Sequence, residues 1–173
     1  MDEQPLPKPL KLAELSRGSV SRRIAADAES RARIARELGL DGVDRLEAEL
    51  EASPWLDGAR VRGRFDAVVR QTCGVTLEPL ESKLSGDFER RILPAGSPNA
   101  PTQPEEAVLD PDAEDPPDLI EDEAIDLGAI LVEQLALEVD PFPRKQGAVF
   151  DANPNESPVS PFAVLKDFKP RGG

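Results

Sequence analysis

Between Arg60 and Leu93 the chain reads RVRGRFDAVVRQTCGVTLEPLESKLSGDFERRIL, two runs that alternate sides residue by residue around a short link. In the first run Val61, Gly63, Phe65, Ala67 and Val69 share one face, and Arg60, Arg62, Arg64, Asp66 and Arg70 share the other. That period of two marks a half-buried strand, and only Val68 breaks it. In the second run Leu80, Leu84, Phe88 and Ile92 fall opposite Glu81, Lys83, Asp87, Glu89 and Arg91. The link from Cys73 to Pro79 carries Gly and Pro, so the expectation is two antiparallel strands joined by a longer turn.

The neighbouring segments are read against this hairpin. Leu46, Ala48, Leu50 and Ala52 alternate with Arg45, Glu47, Glu49 and Glu51; a helix could use Leu46 and Leu50, but the alternation and a Ser53-Pro54 stop favour a strand. If Ser53 to Gly58 turns the chain back, Glu51 faces Arg60, Glu49 faces Arg62 and Glu47 faces Arg64, and such opposite-sign pairs contribute roughly 0.2 to 1 kcal/mol each. Before it, Val20, Ile24, Ala28, Ala35 and Leu38 recur at helical spacing and Gly39 stands at the stop, which predicts a helix from about Val20. Leu10 and Leu12 suggest a short strand ahead of that helix. Leu119 to Leu127 reads as a short strand or extended entry. Leu127, Ile130, Leu131, Leu135 and Val139 then mark a second helix, with Asp126 placed to cap it, Pro141 to end it, and the hairpin sheet for it to cover.

Charge and proline divide the chain. Its 173 residues carry a formal charge of −13, yet Gly96 to Asp140 holds 14 Asp/Glu and no Lys or Arg, leaving the remainder nearly balanced. The stretch from 94 to 118 is dense in Pro and acid and poor in large apolar groups, so it should be a mobile insertion that cannot offset its ordering entropy. Residues 1–93 and 119–150 are then two parts of one domain, and 151–173 a tail in which Ser160-Pro161 starts a short amphipathic helix bearing Phe162, Leu165 and Phe168. The architecture expected is α+β: an antiparallel sheet covered by two main helices, interrupted by an acidic disordered insertion. The acidic, proline-broken start lacks the pattern of a signal peptide, and no apolar window is long enough to span a membrane, so the expectation is a soluble cytoplasmic protein.

Chemistry is constrained by what is missing. The chain has no His, no Tyr and one Cys, so neither a Ser/His or Cys/His nucleophile pair nor the usual Cys/His zinc site can be assembled. GxGxxG and GxxxxGK motifs are absent, and the densest carboxylates lie where nothing would hold them at a catalytic separation. The expectation is a protein that is not an enzyme and has no cofactor and no metal. Cys73 would be reactive only beside cations or a helix N-terminus, and Arg70 is the one local candidate; a small, partly buried residue closing the strand is the plainer account. The leading binding surface is the stripe Arg60, Arg62, Arg64 and Arg70 with Arg90 and Arg91 on the next strand. The proline-fixed strip bearing Phe142, Arg144 and Lys145 adds further cations. Arginine grips phosphates in a forked geometry, but Glu47, Glu49 and Glu51 could neutralise half of the stripe, and no Tyr or Phe interleaves to stack bases.

Three segments, QTCGVTLEPLESKLSGDFERRIL (Gln71 to Leu93), AIDLGAILVEQLALEVDPFPRKQGAVF (Ala124 to Phe150) and SPFAVLKDFK (Ser160 to Lys169), match in order those of the bacterial YceD-type family, which the chain resembles. That resemblance implies a small α+β protein of the cytoplasm that supports accumulation of large-subunit ribosomal RNA. Many relatives carry a CxxC-like pair in the turn between the strands; here Cys73 stands alone with Thr76 three residues on, so no metal site is carried over. Two functions follow as expectations. One is an assembly factor that binds a ribosomal protein or pre-ribosomal particle, its acidic block mimicking RNA toward basic proteins and Phe162, Leu165 and Phe168 anchoring apolarly, or that block serving as a solubilising spacer. The other is direct binding of ribosomal RNA through the arginine stripe, Arg144 and Lys145, with an RNA-processing enzyme as a weaker third.

Overall fold

In the computed structural model, residues 4–101 and 115–149 are described. In chain order the elements are β1 (Pro9–Lys11), a 3-10 turn (Leu12–Arg17), β2 (Val20–Ala25), α1 (Ala28–Glu37), β3 (Gly42–Trp55), β4 (Gly58–Thr72), β5 (Pro79–Pro94), β6 (Asp118–Ile120), β7 (Ala124–Asp126) and α2 (Leu127–Glu138). The main sheet has the order β2-β3-β4-β5-β6, and β1 pairs with β7 in a separate two-stranded ladder. The α+β class is as expected. The sheet, however, is mixed: β6 runs parallel to the end of β5, whereas β2 to β5 are antiparallel.

The alternating hairpin forms as the sequence indicates. Val61, Phe65, Ala67 and Val69 are buried on one face of β4 while Arg62, Arg64, Asp66 and Arg70 stand exposed on the other. On β5, Leu84 and Phe88 lie half-buried against the core, and Ile92 is fully enclosed. From β3 come Leu46, Ala48, Leu50 and Ala52, and α2 adds Leu127, Leu131, Val132 and Leu135 to close that side.

Two sequence expectations need correction. Val20–Ala25 is a strand paired with β3, and the helix begins only at Ala28. The capping residue decides this: Asp27 accepts a hydrogen bond from the Ser30 N–H at 2.8 Å, so the first helical turn is fixed after it. Ahead of it, the Ala26 N–H donates to the Leu46 carbonyl at 3.0 Å and holds the chain on the sheet. Pairing of β3 with β4 also differs, because Glu51 faces Arg62, Glu49 faces Arg64 and Glu47 faces Asp66. The connection is a tight turn at Leu56 and Asp57, with Leu56 at φ 53°, rather than a turn over Ser53 to Gly58. Moving a hairpin's centre by one residue moves its register by two, which changes partners but keeps every side chain on its face. β3 runs on through Pro54 because β2 ends opposite Ala52, leaving no ladder bond on that side to lose.

The stretch expected to be a mobile insertion is tied down at its described ends. The Ser97 hydroxyl and the Asn99 amide donate to the Asp57 carboxylate at 2.7 and 3.0 Å, holding the chain after β5 against the tight turn, and β6 begins at Asp118. Residues 102–114 lie outside the described residues, as does the tail helix expected to carry Phe162, Leu165 and Phe168.

α2 is anchored at its start by the amino-terminal segment. The Asp126 carboxylate accepts from the N–H groups of Lys8, Gly128 and Ala129 at 2.9 to 3.2 Å, and the Leu127 N–H donates to the Lys8 carbonyl. Buried Leu6 crosses so close to Gly128 that a Cβ there would collide with the Leu6 carbonyl, a backbone atom that cannot rotate away. Gly128→Ala should therefore cost roughly 1 to 3 kcal/mol by overpacking. Gly96→Ala, which meets nothing within 4 Å, should leave the denaturation midpoint unchanged. Equal midpoints for the two variants in urea unfolding would show that the Leu6 strap does not constrain α2.

Candidate functional site

The polar face of the sheet collects charges from β2, β3, β4 and β5 in cross-strand rows. One row runs Ser21, Glu51, Arg62, Glu89 and the next runs Arg23, Glu49, Arg64, Asp87. Signs alternate across each row, so long side chains reach opposite charges on adjacent strands. Glu49 sits between Arg23 at 2.6 Å and Arg64 at 3.3 Å, and Glu89 between Arg62 at 2.6 Å and Arg60 at 3.4 Å. The bond from Arg23 holds the Glu49 carboxyl below its ordinary range, and that from Arg62 does the same for Glu89. Farther along, Arg70 pairs with Asp44 at 3.1 Å and Arg45 with Glu47 at 2.9 Å. A shallow groove crosses this face, lined by Arg23, Glu49, Glu51, Arg62, Arg64 and Asp87 among others.

The expected arginine stripe is therefore only partly one surface. Arg60, Arg62, Arg64, Arg70 and Arg91 share the polar face. Arg90 does not: it occupies the Phe88 and Ile92 side of β5 and pairs with Glu133 of α2 and with Asp118 at 3.6 Å. The alternation that placed Phe88 and Ile92 on the apolar face already requires this. Arg91 stands 5.7 Å from the Trp55 ring centre and donates to the Asp115 carbonyl at 2.7 Å. Trp55 is the aromatic that a search for interleaved Phe and Tyr passes over.

Arg144 and Lys145 lie at the opposite end of the hairpin. At about 3.3 Å per residue, the twelve steps from Arg60 to Thr72 put roughly 40 Å between the two ends. Here the turn after β4 is knotted to the strip that follows α2. The Gly74 N–H donates to the Pro143 carbonyl at 2.9 Å, Lys145 pairs with Glu78 at 2.8 Å, and the Gln71 amide donates to the Asp140 carbonyl at 2.8 Å. Arg144 is exposed and makes no ion pair among the described residues, while Phe142 beside it is 77% exposed.

Cys73 is the pivot of this turn and is fully buried. Its sulfur accepts N–H bonds from Thr76 at 3.5 Å and from Lys145 at 3.3 Å. The Thr76 hydroxyl, then these backbone donors, pull the thiol down to about 6 against the opposing effect of burial. The sequence pointed to Arg70 as the nearby cation; the donors are instead Thr76 and a strip seventy residues away in the chain. Among the described residues no cluster of three His, Cys, Asp or Glu side chains is placed to hold a metal.

What these features define is an α+β protein with an ion-paired sheet face and a polar turn locked around a buried thiol. The family model described as "Large ribosomal RNA subunit accumulation protein YceD" matches residues 61–169, well over half of the chain, and the protein belongs to that family. No match was found among curated proteins or among solved structures. The family's description links it to accumulation of large-subunit ribosomal RNA and names no reaction. No helix among the described residues is long and apolar enough to cross a membrane.

The Cys73 environment has a measurable pH signature. A folded pKa of about 6 against an ordinary thiol value of about 8.5 means that thiolate formation favours the folded state. This stabilisation is complete above about pH 8.5 and is lost as pH falls toward 6. With no histidine in the chain, few other side chains titrate in that window. The melting temperature of the native chain should therefore rise relative to that of Cys73→Ser between pH 6 and 8.5. Parallel melting curves for the two proteins across that range would rule the arrangement out.

Proposed function

We propose that this protein is a non-catalytic factor of large-subunit assembly that binds a ribosomal protein or a pre-ribosomal particle through protein contacts, in the cytoplasm. The observation that carries this reading is the charge balance of the surface. The arginines best placed to meet phosphate are already matched by Glu49, Glu89 and Asp44, so the polar face offers no net basic field. Non-specific RNA binding requires several uncompensated cations at phosphate spacing. The charge excess is acidic and local: exposed Asp115, Asp118, Glu121, Asp122, Glu123, Glu133, Glu138 and Asp140 surround β6, β7 and α2. A surface of that sign suits a basic protein partner.

Direct RNA binding is the second reading, supported by the arginines that share the polar face with Trp55. The two readings separate in one experiment, copurification of full-length protein with large-subunit precursors at near-physiological salt. Association should survive Arg62→Glu combined with Arg64→Glu and be lost when residues 160–173 are deleted. Steeply salt-dependent binding to protein-free large-subunit RNA, abolished by the two arginine substitutions, would replace the first reading with the second.

A further inference from the structure

Among the described residues, the longest strand of the sheet leaves most of one side unpaired. β5 spans sixteen residues, yet β6 pairs with it only at Ile92, Leu93 and Pro94. Among the described residues no backbone group pairs with its outer edge from Glu81 to Glu89. Which residues point that way follows from the turn. The Cys73 N–H donates to the Glu78 carbonyl at 2.9 Å, so this pair is of the hydrogen-bonded type. Bonded and non-bonded pairs alternate along an antiparallel ladder. Leu80, Ser82, Leu84, Gly86 and Phe88 therefore direct their N–H and C=O groups to β4, and Glu81, Lys83, Ser85, Asp87 and Glu89 direct theirs outward.

Edges of this kind invite pairing, and proteins usually blunt them with bulges, internal prolines or short length. β5 has none of these devices: its ladder with β4 shows no register shift, its prolines stand only at its two ends, and typical strands are about five to six residues long. Lys83 is the one lysine on the stretch, and among the described residues Glu81, Lys83 and Asp87 lack ion-pair partners. The other face of the edge is apolar. Leu84 and Phe88 are half-buried there, and Leu137 of α2 is 71% exposed one helical turn after Glu133, the residue that reaches Arg90 on β5.

A second copy of the chain does not suit this edge. An antiparallel pairing of two β5 strands that matches Lys83 with Glu89 would place the partner's Leu80 opposite Ile92, where Asp118 of β6 already pairs. The register that just avoids β6 matches Lys83 with Asp87 but sets Glu81 against Glu89, and shorter ones set Glu81 against Asp87 or Lys83 against Lys83. An isolated extended segment brings no hairpin turn with it and avoids that collision.

We propose that the β5 edge from Glu81 to Glu89 receives an extended basic segment of a partner protein as an added strand. Its backbone pairs with the five outward-facing residues. Its alternate side chains are apolar toward Leu84, Phe88 and Leu137, and cationic toward Glu81, Asp87 and Glu89. This deepens the assembly-factor reading and rests on it, since it names the contact through which a basic partner is held.

Ser85→Pro is the discriminating variant. It removes an outward N–H and blocks an added strand without taking a bond from the β4 ladder. A seven-residue peptide alternating Lys and Val should bind the full chain at least tenfold more tightly than its Glu/Val counterpart. It should slow amide exchange at Glu81, Lys83, Ser85, Asp87 and Glu89, and Ser85→Pro should abolish both effects. Lys83→Glu, a surface change that leaves the backbone able to pair, should tighten binding of the Lys/Val peptide. Binding that leaves those amides unprotected, or that persists in a folded Ser85→Pro protein, overturns the inference. So does slow exchange of the same amides without peptide that disappears on deleting residues 150–173, because the chain would then fill its own edge. Copurification with large-subunit precursors separates this inference from its premise: association of both native and Ser85→Pro chains sinks the edge contact alone, and association of neither sinks the assembly reading.

Discussion

β4 is paired along nearly its whole length on both sides, with β3 and with β5, and that double ladder is what every other element leans on. Because side chains alternate strictly along a strand, the two ladders oblige Val61, Phe65, Ala67 and Val69 to face one way and Arg62, Arg64, Asp66 and Arg70 the other. A slip by one residue would turn four arginines or aspartates into the core. Burying an uncompensated charge costs several kcal/mol, which exceeds what any of the exposed ion pairs supplies. The apolar side is then closed by α2, whose Leu131 and Leu135 are fully buried. Phe65 covers Gly86 on the neighbouring strand, where a Cβ would meet its ring at 2.7 Å.

That constraint explains which parts of the fold are legible in the chain. Alternation is a local property with a strong physical cause, so the hairpin of β4 and β5, its turn, the strand β3 and the faces of each can be read directly. The cap of α2 by Asp126 is legible for the same reason, since a capping side chain lies within three residues of the groups it satisfies. Register is less so. It depends on where a turn is centred, and Leu56 adopts φ 53° in a position where Gly or Asn would have announced it. Val20–Ala25 has apolar residues at Val20 and Ile24, a spacing compatible with a helix and a strand alike. The answer came from Asp27 and from pairing with β3, a partner more than twenty residues away.

The strand faces of the charged residues were legible, Arg90 excepted, but not the surface they make together. Sequence placed Arg60, Arg62 and Arg64 together correctly; it could not show that Glu49 and Glu89 bridge them, because those contacts depend on the register across three strands. Nor could it bring Lys145 to Cys73, which takes the return of the chain after α2. Neutralisation by exposed carboxylates is energetically shallow: each such pair is worth about 0 to 1 kcal/mol, so a phosphate could displace one locally. What alternating charge removes is the long-range field. Beyond a Debye length of about 8 Å, a checkerboard of opposite signs cancels and cannot steer a polyanion from a distance. Among the described residues of the acidic surround of α2 and β6, only Asp118 and Glu133 share a cation, Arg90, so the excess of negative charge there, and its field, remain.

The family match begins at Val61, partway into β4, so β1, β2, α1 and β3 lie outside it. Physically that boundary cannot divide the fold. Leu46, Ala48, Leu50 and Ala52 of β3 continue the same apolar sheet face as Val61, Phe65 and Val69, and Leu6 straps the start of α2. Without β3, the inward row of β4 would lose its neighbour, Arg23 and Arg64 would lose Glu49, and Arg70 would lose Asp44. The matched stretch therefore holds the β5 edge left unpaired among the described residues, the Cys73 turn and Glu89, while the segment before it supplies Glu49 and Asp44 to the polar face. The balance of that face is thus set jointly by β3, outside the matched stretch, and by β5, inside it.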